Sequence, residues 1–329
     1  MKAAVLTSPQ DISKRPLSIS EVSKPEPAPG HVLLRVRACG VCRTDLHIVE
    51  GELKPQRERI IPGHQIVGEI VDGATPELPI GTRAGVSWLG GVDGTCWYCR
   101  RGFENLCDSP AFTGYTVDGG YAEYALARAD FVYPLPAALD DLHAAPLLCA
   151  GIIGFRSLRV AGVEPGERVG LFGFGASAHL AVAVLHAWKC EVYVSTRGAS
   201  HRQLADALGA AWVGSETERP PVELDRAITF APSGDVVVAA LASLRKGGVV
   251  AINAIHLDRV PEFAYEHLWW ERSIRSVANF TRQDAAEFLA LAAEIPVRTA
   301  TETYPLHEAN LALQRLAEGK VSGAAVLTM

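Results

Sequence analysis

Residues 169–188 read VGLFGFGASAHLAVAVLHAW, and this stretch decides the fold. Val169 to Phe172 is a short apolar strand, and Ala176 to Trp188 is an almost wholly apolar segment of helical length. Between them, Gly173-Phe-Gly175-Ala-Ser-Ala178 fits G-x-G-x-x-A. The first glycine permits a tight turn, and the second lets backbone approach a pyrophosphate. The small third residue, Ala178, lets helix and strand pack closely while N–H groups at the helix start face the anion. Six such residues alone would equally suit an ordinary tight turn. A second strand at Glu191–Ser195, EVYVS, completes the unit and points to dinucleotide binding.

The same alternation continues downstream. A helix is expected around His201–Leu208, a strand at RAITF (226–230), a helix at Val236–Leu244 and a strand at GGVVAIN (247–253). Strands and helices alternating at this spacing predict a parallel sheet wound in βαβ units. Upstream, HVLLRVRA (31–38) sets Val32, Leu34 and Val36 against Leu33, Arg35 and Arg37, as in a half-buried strand. Turn-rich KPEPAPG precedes it and IPGHQIVGEIVDG follows, so the first part reads as a β-rich domain. The tail is mixed, with helices at Asp284–Ala293 and Glu308–Glu318, the second ended by Gly319, and a final strand AAVLT.

An NAD site usually has a carboxylate at the end of its second strand, where this chain has Ser195-Thr196-Arg197. Hydroxyls and a guanidinium suit a 2′-phosphate, so NADP(H) is expected. A solvated loop holding the adenosine through backbone alone would leave NAD(H) open.

At 329 residues the chain calls for two domains, and its net charge of −6 leaves no basic stripe for nucleic acid. The start, MKAAVLTSPQ, has no apolar signal-peptide core, and no stretch reaches the ~18 uninterrupted apolar residues of a membrane span. Seven cysteines, an odd number dispersed among metal-like motifs, predict reduced thiols and a cytoplasmic location. Three of them, Cys96, Cys99 and Cys107, stand at C-x2-C-x7-C behind Asp93 in GVDGTCWYCRRGFENLC. Others lie in CRTDLH (42–47) and in PLLCAG at Cys149, with His64 between them in sequence. That spacing alone does not make a site, because free cysteines are commonly buried small hydrophobes.

Taken in order, CGVCRTDLH, PGHQIVG, the three-cysteine loop, PLLCAGIIG and GFGASAHLA run nearly the length of the chain. Together they resemble the zinc-dependent medium-chain alcohol dehydrogenases. The resemblance implies an α/β fold: a GroES-like β-rich catalytic domain over 1–150 and 279–329, and a Rossmann domain with a doubly wound parallel sheet over 151–278. It implies a catalytic zinc on Cys42, His64 and Cys149, since two thiolates and an imidazole leave one tetrahedral position open. Thr44 would take the alcohol proton and pass it by way of the cofactor ribose toward His47, whose imidazole suits the outer end of a relay. Asp45 would orient His64, and Arg43 would contact the cofactor pyrophosphate. Trp88 falls where the family has an aromatic wall, with Phe112 and Ile152 as neighbours in the substrate pocket. The loop would hold a structural zinc, with Asp93 in the place of a first cysteine. A solvated turn aspartate beside a metal-free lobe is the alternative there.

Two departures stand out. Gln65 replaces a glutamate that follows the ligand histidine, which removes a negative charge beside the metal. Ala324 stands where many relatives have an arginine near the cofactor phosphates. Arg282 is a possible substitute, although a plain surface arginine fits it better. Trp269-Trp270 suits either a core or a subunit contact.

The expected activity is hydride transfer between a primary alcohol–aldehyde pair and a nicotinamide cofactor, NADP(H) ahead of NAD(H). A polyol or secondary-alcohol dehydrogenase using NAD(H) is the alternative. The partners implied are a small-molecule alcohol or aldehyde, no nucleic acid, no membrane, and further copies of the chain as a dimer or tetramer.

Overall fold

The computed structural model describes residues 1–297, 299–321 and 323–329. Strands β1 (Lys2–Leu6), β2 (Leu17–Glu21) and β3 (His31–Val41) lead into helix α1 (Arg43–Glu50). Strands β4 (Gln65–Asp72), β5 (Arg83–Val86), β6 (Leu89–Gly91), β7 (Ala111–Phe112), β8 (Tyr124–Arg128) and β9 (Val132–Pro134) precede helix α2 (Asp141–Pro146). Then come α3 (Ile152–Ala161), β10 (Arg168–Phe172), α4 (Ala176–Ala187), β11 (Glu191–Ser195), α5 (Ala199–Ala207) and β12 (Trp212–Gly214). They are followed by β13 (Leu224–Thr229), α6 (Gly234–Ala242), β14 (Leu244–Ile252) and β15 (Ser273–Ser276). The chain closes with α7 (Arg282–Glu294), β16 (Thr301–Pro305), α8 (Ala309–Ala317) and β17 (Ala324–Thr328). Two compact units result. One holds Met1–Cys149, Thr281–Ala293 and the C-terminal stretch through Met329, and the other centres on Ala150–Phe280.

The first unit is built on a seven-stranded mixed sheet, β16-β17-β3-β4-β5-β9, with β8 also paired to β3. Strand β3 is 11 residues long, so it has room for β8 against His31–Arg35 and β17 against Ala38–Val41 on one edge, and β4 on the other. Val32, Leu34 and Val36 enter the core as their alternation predicts, while Arg35 and Arg37 stay outside and meet Glu69 of β4. Leu33 is buried as well, so that second face is apolar at one end and charged at the other.

The β3–β4 ladder sets Gly40 opposite Gln65, which carries the residues just past β3 up to those just before β4. Gly63 there has φ +95, and a Cβ on it would lie 2.3 Å from the ring of the fully buried Tyr121. Only glycine fits both the left-handed backbone and the close ring.

The second unit is a six-stranded sheet, every pair parallel, in the order β12-β11-β10-β13-β14-β15. The direction of winding reverses beside β10, and in such sheets ligands bind in the crevice at that switch. Helices α5 and α6 begin two residues earlier than the sequence suggests, at Ala199 and Gly234. Neither Gly198 nor Ser233 makes a side-chain cap bond that would mark the start. Trp269 and Trp270 are half exposed, so they are not core residues.

The helical run Asp141–Ala161 is 21 residues long and apolar enough to cross a membrane by length and composition. However, 67% of its most apolar window is buried inside the protein, as in a core helix.

Gly63→Ala is expected to cost about 2–5 kcal/mol, the sum of a left-handed alanine and an overpacked ring. Gly81→Ala, at φ +85 with open space around it, should cost only about 1–2 kcal/mol. Calorimetric melting of the two variants checks the difference.

Candidate functional site

Cys42 is the N-cap of α1, directly after β3, and its Sγ accepts from the Thr44 N–H at 3.4 Å. Asp45 answers it from the first turn: Oδ2 accepts from the Cys42 N–H at 2.9 Å, closing a capping box. The other oxygen, Oδ1, reaches across to the start of β4, accepting from Gly63 N–H at 3.2 Å and lying 3.0 Å from His64 Nδ1. That contact orients the ring so that Nε2 lies 3.3 Å from Cys42 Sγ. Asp45 and His64 are both fully buried.

Cys149 arrives from a different part of the chain. Pro146, the last residue of α2, has no N–H for the carbonyl one turn back, and Leu147–Gly151 follow as one π-helical turn before α3. The wider turn carries Cys149, and the ligand atoms of Cys42, His64 and Cys149 all lie within 4.8 Å of one another. Around one zinc ion, tetrahedral S···S and S···N separations are about 3.5–3.8 Å at the usual bond lengths, so the set is metal-sized.

Proton sharing among these donors favours the same reading. The bond from the Cys149 thiol, opposed by burial and helped by His64, holds Cys42 well below the ordinary thiol range. That bond and burial push Cys149 well up. Burial alone would lower His64, but the charges of Asp45 and Cys42 outweigh it and hold the imidazole well above its usual value. Burial raises Asp45 somewhat, against the pull of His64. Two thiols and an imidazole that share protons this way form a donor set able to exchange them for a divalent cation.

Thr44 is buried on α1, Arg43 is exposed at its first position, and His47 lies one turn on, with Nδ1 2.5 Å from Glu52 Oε2. Gln65 is buried with Oε1 over Gly40, where a Cβ would come within 2.4 Å. Trp88 meets the His64 ring edge-on at 5.2 Å and stacks on Phe112 at 4.8 Å and on Tyr115 at 6.0 Å. Tyr115 was not foreseen, since nothing in TGYTVDGG marks it. Ile152, expected beside this wall, is fully buried at the start of α3.

In the loop, Asp93, Cys96, Cys99 and Cys107 also present ligand atoms within 4.8 Å of one another. Asp93 Oδ1 accepts from the Thr95 and Cys96 N–H groups at 2.7 and 2.8 Å, so the aspartate makes its turn and still faces the thiols. Those N–H groups, Cys96 first, hold its carboxyl well below the usual carboxylate range. N–H groups of Asp93 and Ser109 point at Cys107 Sγ, and that of Cys99 at Cys96 Sγ. Burial and hydrogen bonds with the Cys96 and Cys107 thiols push Cys99 up to about 12.

The lobe is anchored by Glu104. Both its oxygens engage Arg282, at 2.5 Å from the backbone N–H and 2.7 and 2.9 Å from the guanidinium, which also lies 4.7 Å from the Phe131 ring. Arg282 is therefore a structural clamp and not the plain surface arginine its neighbours suggest.

In the second unit, Gly173 follows β10 at φ +88, with a Cβ excluded by the Ala231 backbone nitrogen at 2.8 Å. Gly175 caps α4 with no side-chain bond, and a Cβ on it would meet nothing within 4 Å. Open space before an uncapped 12-residue helix fits a pyrophosphate. Ala178 is fully buried, as close packing requires. Ser195 and Thr196 are buried too, and the Ser195 hydroxyl donates to Glu218 O at 3.0 Å, so it faces inward. Of that trio, Arg197 is the exposed one.

Residues 28–137 match the family described as the alcohol dehydrogenase GroES-like domain. A probable alcohol dehydrogenase AdhA of Mycobacterium tuberculosis is 48% identical over 99% of this chain and 97% of its own. A cinnamyl alcohol dehydrogenase from Sorghum bicolor superposes with a TM-score of 0.87 at 26% identity, covering 99% of this chain and 97% of its own. An acetophenone reductase from Geotrichum candidum, solved in complex with NAD, superposes with a TM-score of 0.85 at 26% identity, covering 100% and 97%.

Asp45→Asn turns an amide NH2 toward a backbone or ring donor, so it should cost about 1–3 kcal/mol of stability, and a zinc ion held by Cys42, His64 and Cys149 should bind about 10–100-fold more weakly. Competition with a chromogenic chelator reads the change.

Proposed function

This chain belongs to the medium-chain alcohol dehydrogenase family, and we propose that it is a zinc-dependent member that prefers NADP(H) and primary alcohol–aldehyde pairs. The observation that carries the zinc reading is the convergence of Cys42, His64 and Cys149, with His64 oriented by the buried Asp45. When bound, the ion supplies Lewis acidity that brings the alcohol's pKa toward neutrality, and the nicotinamide takes or returns the hydride.

The chain's own residues do the rest. Cys42, His64 and Cys149 hold the metal, and Asp45 keeps His64 Nδ1 protonated so that Nε2 stays the donor. Thr44 Oγ1 accepts the proton of the substrate hydroxyl as it releases its own, and the imidazole of His47 is the base at the outer end of that relay. The Trp88–Phe112–Tyr115 stack screens one side of His64 from water and narrows the space left for substrate. Gln65, as a neutral amide, leaves the metal more electrophilic than a carboxylate would. Gly173, Gly175 and Ala178 shape the pyrophosphate turn, Arg43 adds a contact to the pyrophosphate, and Arg197 recognises the 2′-phosphate.

Asp93, Cys96, Cys99 and Cys107 hold a second, structural zinc in this reading, four anionic ligands around one dication. A secondary-alcohol dehydrogenase using NAD(H) is the second reading. It is favoured by the Geotrichum candidum protein, named for a ketone substrate and solved with NAD.

Initial rates with a panel of primary and secondary alcohols and their carbonyl partners, each with NAD(H) and NADP(H), test the proposal. NADP(H) with a primary pair should give the highest kcat/KM, and no turnover by zinc-loaded protein would sink the enzyme reading. Thr44→Val should lower kcat by about 10²–10⁴-fold with zinc content unchanged. Metal analysis should find two zinc ions per chain, falling to one in Asp93→Ala.

A further inference from the structure

The end of β11 has no acid, but the neighbouring strand supplies one. Strands β11 and β12 run parallel with Ser195 opposite Gly214, so the residues after each leave the sheet on the same side. Glu216, two residues past Gly214, brings Oε1 to 3.9 Å from Arg197 Nε. The Arg197 side chain is 80% exposed and that of Glu216 29% exposed. At 3.9 Å this is a loose ion pair that a better ligand can break.

Arg202, one oxygen of Glu218 and the Ser195 hydroxyl are engaged elsewhere. Arg202 Nη1 donates to the carbonyls of Thr196 and Arg197 at 3.1 and 2.8 Å, which fixes the backbone from which the Arg197 side chain leaves. Glu218 spends one carboxylate oxygen on the N–H and hydroxyl of Ser215, at 2.9 and 3.1 Å. The Ser195 hydroxyl is turned inward. Arg197 and Glu216 face each other as an exchangeable pair of opposite charge.

We propose that Glu216 is a specificity-determining counter-ion: it occupies Arg197, and a cofactor 2′-phosphate must displace it. The proposal rests on the reading of Arg197 as the 2′-phosphate contact. A phosphate wins the guanidinium because it accepts in two-pronged fashion and carries more charge than a carboxylate. Glu216 is then left without its partner beside a like charge, which costs NADP(H) affinity. A 2′-hydroxyl meets no such repulsion and can donate to the same carboxylate. Glu216 therefore acts as a brake on NADP(H) alone.

Calorimetric titration of the full chain with 2′,5′-ADP and with 5′-AMP reads this without catalysis. Glu216→Gln should tighten 2′,5′-ADP by about two- to fivefold, the scale of an exposed ion pair, without tightening 5′-AMP. Arg197→Leu should weaken 2′,5′-ADP by about tenfold or more, and the gain from Glu216→Gln should shrink in that background. Unchanged 2′,5′-ADP affinity in Glu216→Gln overturns the proposal. Equal tightening of both ligands also overturns it, since that marks a general change in the loop. A wild-type chain that binds 2′,5′-ADP no tighter than 5′-AMP overturns instead the reading of Arg197, whatever Glu216→Gln does.

Discussion

The carboxylate of Asp45 is the point on which the candidate centre depends. It is fully buried, and it holds two chain segments at once: the Cys42 N–H on one oxygen, Gly63 and His64 on the other. A buried charge is tolerable only when such partners compensate for lost water, so its burial and its three contacts require one another. The β3–β4 register brings the two segments within reach, and Asp45 converts that proximity into a fixed angle between thiol and ring. The capping box does double duty, starting a helix and, through Asp45, orienting the His64 ring.

The lobe at Asp93–Cys107 follows the same logic on a smaller scale. It has little apolar core of its own, so its geometry depends on N–H groups aimed at sulfur and on the Glu104–Arg282 clamp. Arg282 lies 178 residues beyond Glu104, so the tail of the chain takes part in holding a loop near its first third. Small lobes of this kind need a staple, and a metal serves as one.

Much of this was legible because it is local. The glycine turn, the strand before it and the helix after it are written within 20 residues, and each follows from backbone conformation or periodicity. Cys42 and Asp45 stand three residues apart, so their relation is also a local one, although the capping box itself was not foreseen. Ser195 is the opposite case. Its hydroxyl could face ribose or fold, and only the carbonyl of Glu218, from beyond the next strand, turned it inward.

The sequence by itself determined the two textures of the chain, the dinucleotide turn and the residue types able to bind metal, because these depend on near neighbours and side-chain chemistry. Only the tertiary structure decided which donors meet. Cys149 joins Cys42 and His64 through a π turn after Pro146, Tyr115 stacks on Trp88, and Glu216 meets Arg197 from a neighbouring strand. Each of these is a contact between segments whose distance in space is set by sheet register and crossover. No pattern of neighbouring residues encodes that distance.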